Sequence, residues 1–94
     1  MEHPGYPEDE EIEAVRNIDP SKFLDGAELL LELFESTGYG SGHITRFRGK
    51  ARLYISTGGW SGCEELISAV NKFWWLMYWQ RTERGGHYVF EGPR

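Results

Sequence analysis

Apolar positions recur with a helical repeat of about 3.6 residues between residues 23 and 34, where Phe23, Leu24, Ala27, Leu30, Leu31 and Phe34 fall on one side. Asp25, Glu28, Glu32 and Glu35 fall on the other. This pattern predicts an amphipathic helix that is apolar inside and anionic outside. Asp19 is placed to cap it, Pro20 suits its first position, and Gly38 is placed to end it. Upstream, Ile12, Val15 and Ile18 predict a short helical turn docked on the core. Residues 1–11 combine Pro4, Gly5 and Pro7 with a Glu/Asp run and read as a flexible acidic tail. Residues 12–94 then form one compact domain.

Past the flexible stretch GYGSG the period changes to two. HITRFRGKARLYIS reads as a hairpin turning at Gly49 and Lys50, with Ile44, Leu53 and Ile55 on the core side. Thr45, Phe47, Arg52 and Tyr54 share the opposite side. STGGWSG then opens a second helical pattern through Leu66, Ile67, Val70, Phe73, Trp74 and Met77, and Ser61 with Glu64 makes a capping box at its start. From Trp75 onward a period of two competes with the helical one, so residues 75–82 read as a strand. The turn RGGHY returns it into HYVFE, placing Trp79, Tyr88 and Phe90 on one face and Thr82, Arg84, His87 and Val89 on the other. The order helix, hairpin, helix, hairpin predicts an α+β domain with two amphipathic helices on one face of a four-stranded antiparallel sheet.

Composition narrows the class. A chain of 94 residues makes one domain with a modest core, and its single cysteine excludes an intramolecular disulfide. No apolar run is long enough to span a bilayer, and the acidic start is unlike a secretory leader, so a cytoplasmic protein is expected. The net charge of −5 conceals a split: residues 1–35 hold eleven of the fifteen acidic residues and two bases, whereas residues 36–94 hold eight bases and four acids. Such asymmetry suits an anionic partner on the basic part or a basic partner on the acidic part. It also suits two halves that screen each other.

Four places can carry chemistry. In the first, a strand, a glycine-rich turn and a helix start bring free backbone N–H groups to one spot, so Ser56, Thr57, Gly58, Gly59, Trp60 and Ser61 can hold a nucleotide or small anion. A turn that merely joins strand to helix is the plainer reading, because the lysine of a phosphate loop is missing. Arg81, Arg84 and His87 at the RGGHY tip can add a clamp on phosphate or carboxylate, or simply be solvated.

The second place is the first hairpin, where Phe47 and Tyr54 lie among Arg46, Arg48, Lys50 and Arg52. Aromatics among bases hold single-stranded nucleic acid, while packing beneath the N-terminal segment is the plainer alternative. The third is the acidic helix face of Glu28, Glu32 and Glu35, which can face a basic partner. The fourth is the tryptophan cluster: Trp74, Trp75 and Trp79 cannot all enter one small core, and exposed aromatic surface at Trp75 and Trp79 marks a protein contact or a homodimer face. Cys63, in the first turn of a helix, can be activated by the dipole with His43 or His87 as a base, but packing is the plainer reading of a lone small cysteine, and three scattered histidines with one cysteine do not give metal-ligand spacing. No cofactor is called for.

The segment STGGWSGCEELI, followed by FWWLMYW and RGGHYVFEG, resembles a set of small proteins encoded by bacterial viruses and prophages. In these a similar GGWSG turn precedes an E-x-x-I helix, and a tryptophan-rich segment precedes RGGHY. The likeness covers residues 53–91 and not the acidic front. It implies a phage-type accessory protein in a bacterial cytoplasm, with no catalytic residues, and it suggests that GGWSG and RGGHY belong to one site. The expected function is a small non-enzymatic binding protein engaging a host or viral macromolecule. A nucleotide or anion pocket and a single-stranded nucleic-acid surface are the alternatives.

Overall fold

A computed structural model describes residues 7–38 and 40–94, apart from the Thr37 side chain. Most of the predicted tail and Tyr39 of GYGSG lie outside the described residues. The elements are α1 (Asp9–Arg16), α2 (Phe23–Thr37), β1 (Ser41–Phe47), β2 (Lys50–Ser56), α3 (Ser61–Ala69), α4 (Lys72–Tyr78), β3 (Trp79–Glu83) and β4 (His87–Pro93). The strands form one antiparallel sheet in the order β1-β2-β4-β3, so two hairpins join through β2 and β4. This is the α+β fold that the sequence predicts. The helices pack on the face that carries Ala51, Leu53, Ile55 and Phe90, together with Val15, Phe23, Leu30, Phe34, Leu66 and Trp74. Burying each large side chain contributes roughly 1.5–3 kcal/mol.

At the centre, Trp74 stacks on Phe23 at 5.3 Å and meets Tyr78 at 5.4 Å and Phe90 at 5.0 Å. The indole lies directly over Gly26 of α2, where a Cβ would come within 2.7 Å of both Trp74 Nε1 and Ile18 Cγ2. A glycine inside a helix costs about 1 kcal/mol relative to alanine. Here it makes room for the tryptophan.

Local details depart from the sequence reading. Helix α2 begins at Phe23, because the Asp19 carboxylate is occupied by the Ser21 N–H at 2.9 Å and its hydroxyl at 2.8 Å in a separate turn. Those hydrogen bonds, the backbone one first, hold the Asp19 carboxyl below its usual range. Gly38 ends the helix in a left-handed conformation, as its position suggests. Helix α1 starts at Asp9 and so takes in the end of the segment read as a tail.

The first hairpin turns at Arg48 and Gly49, with φ of 46° and 78°, one residue earlier than expected. Moving the turn by one residue moves each strand partner by two, which preserves the faces. Ser61 is the first residue of α3 and Trp60 holds the cap position without a side-chain cap, so the expected capping box is not formed there.

The largest correction concerns residues 71–82. The helix breaks at Val70, and the Asn71 side chain accepts hydrogen bonds from the N–H groups of Phe73 at 2.9 Å and Trp74 at 3.3 Å, starting a new helix. Residues 75–78, read as strand, are therefore helical, and the strand begins at Trp79. Trp74 and Tyr78, four residues apart, enter the core together, which outweighs the alternating pattern. A register shift between Trp79 and Arg81 then pairs Thr82 with Tyr88, so Thr82 is on the side opposite to that expected.

Candidate functional site

The two glycine-rich turns meet. Thr57 is fully buried, and its N–H donates to the Gly86 carbonyl at 3.0 Å. Gly86 has a φ of +78°, and a Cβ there would lie 2.1 Å from Thr57 Oγ1, so only glycine fits this contact. Within STGGWSG three backbone donors are engaged by the turn's own oxygens. Ser56 Oγ accepts from Gly58 N at 3.4 Å, Thr57 Oγ1 from Gly59 N at 3.2 Å, and the Thr57 carbonyl from Trp60 N at 3.0 Å. The turn is thus held by its own oxygens. Ser61 is exposed, and Trp60 leans half-buried on the core.

In the facing hairpin, Arg81 pairs with Glu83 at 3.2 Å and Arg84 is exposed in the turn. His87 sits opposite Ser56 across the β2–β4 ladder. Of the residues expected to bind an anion, Ser56 and His87 line a groove of about 380 Å³ on the outer sheet face, with Ser41, His43, Tyr54 and Glu83. His43 stacks on Tyr54 with ring centroids 4.6 Å apart and 15° between planes. This stack was not anticipated. The strand pairing His43 with Tyr54 creates it, and alternation in β1 is the signal that points to it.

The same face continues to Phe47, which lies 5.3 Å beneath the Arg52 guanidinium and is 38% exposed. Arg52 donates to Tyr54 Oη at 3.2 Å and, through Nε, to Glu91 at 3.0 Å; these bonds raise its pKa further. Lys50 lies 3.8 Å from the same carboxylate. Arg46 pairs across the strands with Ala51, on the helix side, and bonds Glu28 at 3.1 Å. Arg48 is exposed at the turn. The basic hairpin is therefore split between two faces, and three of its four bases already meet a carboxylate. Helix α1 packs against α2 and α3 on the far side of the sheet.

On the helix side, Glu32 and Glu35 are exposed, and Glu28 is the partner of Arg46. Cys63 is buried next to Gly40, on the opposite side of the sheet from His43 and His87. Among the described residues no group of three His, Cys, Asp or Glu side chains is arranged to hold a metal ion. None of the described helices is long and apolar enough to cross a membrane.

The tryptophan segment carries the most unusual surface. Phe73, Leu76 and Met77 of α4 are 66%, 69% and 60% exposed, and Trp79 directly after it is 42% exposed. Beside them runs an apolar groove of about 470 Å³ between α3 and α4, lined by Ile67, Ser68, Val70, Lys72, Trp75, Leu76 and Tyr88. Trp75 is half-buried as a wall of this groove, edge-on to Tyr88 at 5.7 Å and Phe90 at 5.1 Å. Trp79 is the exposed aromatic that the sequence leads one to expect. Phe73, Leu76 and Met77 were missed as surface residues because an unbroken helix would point Phe73 and Met77 inward. An asparagine two residues before Phe73 was the available signal for a new start.

The chain matches no protein-family model, no curated protein and no solved structure.

Proposed function

We propose that this chain is a small non-enzymatic binding protein that engages another protein through the outer face of α4. The observation that carries this reading is the stripe of Phe73, Leu76, Met77 and Trp79. Large apolar side chains in such a row gain roughly 1.5–3 kcal/mol each when they are covered, and contiguous apolar surface is typical of interaction sites. Resemblance over residues 53–91 to phage and prophage proteins supports a setting in a bacterial cytoplasm, with a host or viral partner.

A photoreactive residue placed at position 76, with position 32 as control, tests the reading in bacterial cells. Discrete protein adducts from position 76 and few from position 32 are expected. Equal labelling from both, or none from either, would remove the stripe as the binding surface. In a related version the acidic face of α2 mimics nucleic acid against a basic protein. Binding that survives Glu28→Lys, Glu32→Lys and Glu35→Lys together would dismiss it.

The second reading is a nucleotide or similar planar ligand in the outer-face groove, favoured by the His43–Tyr54 stack beside Ser56 and His87. A groove of this size is in the range of small-ligand sites. Calorimetry across a nucleotide panel, repeated on Tyr54→Ala, measures it; no heat from any nucleotide sinks it. Single-stranded nucleic acid on Phe47 and Tyr54 is the weaker form, given the carboxylates that hold Arg46, Lys50 and Arg52.

A further inference from the structure

We infer that the partner covering α4 is a second copy of this chain, in a two-fold dimer where the knobs of each α4 enter the groove of the other. The inference rests on the proposed role of the α4 stripe and names its occupant. A two-fold interface must be self-complementary: whatever protrudes from one copy must find its receptor on the same patch of the other. This surface holds both parts side by side. Leu76, with Phe73 and Met77, protrudes, and the groove between α3 and α4 opens next to it with Leu76 on its rim.

Charge agrees with a self-paired patch. Residues 73–80 contain no charged side chain, and Lys72 is the single charge among the residues lining the groove, so two copies can approach with little like charge in contact. Most acidic residues, the source of the chain's negative balance, lie before residue 36 on other elements. Area agrees as well. At about 150–250 Å² per large side chain, the four fractional exposures leave on the order of 400–500 Å² of apolar surface on each chain. A standard-size interface covers roughly 800 Å² per partner, about 56–58% of it apolar. The stripe therefore supplies about the apolar area of a standard-size interface, as a reversible dimer needs.

The test is sedimentation equilibrium on the full chain from about 1 μM to 500 μM, a span chosen to cover weak dimers. Twice the chain mass at the upper end is expected. Leu76→Glu is expected to raise the dimer dissociation constant at least tenfold, and Ser68→Arg, which fills the groove, to act similarly. Both positions are exposed within one chain, so an unchanged circular dichroism spectrum, and an unchanged melting temperature at about 1 μM where the dimer is dissociated, would show that folding is intact. Glu32→Lys is expected to leave the dimer unchanged. A wild-type chain that stays monomeric throughout, or a dimer indifferent to both Leu76→Glu and Ser68→Arg, overturns the inference. The photoreactive residue at position 76 separates the two readings. A self-adduct linking it to residues 67–88 of a second copy supports the dimer. Adducts to other proteins alone overturn the dimer and keep the binding role, and no adduct overturns both.

Discussion

Along α2 the outward positions hold Asp25, Glu28, Glu32 and Glu35; along α4 they hold Phe73, Leu76 and Met77. Both helices send aromatic and aliphatic side chains into the same core, Phe23, Leu30 and Phe34 from one and Trp74 and Tyr78 from the other. Helix α2 has 15 residues and α4 has seven. A seven-residue helix is unstable alone, so α4 depends on the Asn71 cap and on its two buried rings. Its outward residues contribute little to that, which is why their apolar character points to contact with another molecule. On α2 the outward positions are carboxylates, with Asp25, Glu32 and Glu35 exposed and Glu28 bonded to Arg46.

The contrast can be broken by mutation. Trp74→Ala should lose about 3–5 kcal/mol of stability in denaturant unfolding at about 1 μM chain, where the monomer is measured, while Leu76→Ala on the same helix should change it by less than about 0.5 kcal/mol. Comparable losses at both positions would mean that the outer face of α4 is buried after all. Next in size, Gly26→Ala tests how the two helices interlock. Alanine favours helix by about 1 kcal/mol, yet its methyl meets the Trp74 indole and Ile18, and a net loss of roughly 1–3 kcal/mol is expected. A stabilised variant would show that the indole moves aside at no cost.

Asn71→Ala should cost about 1 kcal/mol through the lost cap, and reduced helical signal should accompany it. An unchanged spectrum and midpoint would indicate that core packing alone holds α4.

Tyr78 adds a pH-dependent element, since its hydroxyl donates to the Pro20 carbonyl at 2.7 Å and burial, with Asp19 nearby, raises its pKa. The folded state therefore keeps the proton longer than the unfolded chain. The stabilisation is complete below the unfolded phenol's value of about 10 and is lost as pH rises through the higher folded value. Tyr78→Phe should lose about 0.5–1.5 kcal/mol at pH 7 and lack that alkaline loss; parallel pH profiles for the two proteins would exclude the phenol as its source. The smallest effect belongs to α2: Glu35→Lys should shift stability by less than about 0.5 kcal/mol, and a larger shift in thermal unfolding would mean that the acidic face is not simply solvated.

Much of this was readable beforehand. Phe23 to Phe34 keep a helical period and face the core, and Ile44, Leu53 and Ile55 keep the helix side even though the hairpin turn sits one residue earlier than expected. Parity survives such a shift, which is why the faces were legible when the register was not. The stretch around Trp75 was not legible, because eight uncharged residues satisfy both periods.

From its sequence alone the chain determines an α+β domain, two hairpins, an acidic helix and a surplus of tryptophan that one small core cannot absorb. These follow from local periodicity and composition, which need no partner in space to be read. Only the tertiary structure decided that Trp74 and Tyr78 enter the core while Phe73, Leu76 and Met77 stay outside, and that Gly86 docks on Thr57. Those choices depend on side chains distant in sequence: Phe23, Gly26 and Phe90 surround Trp74, and the β2–β4 pairing sets the two glycine-rich turns together.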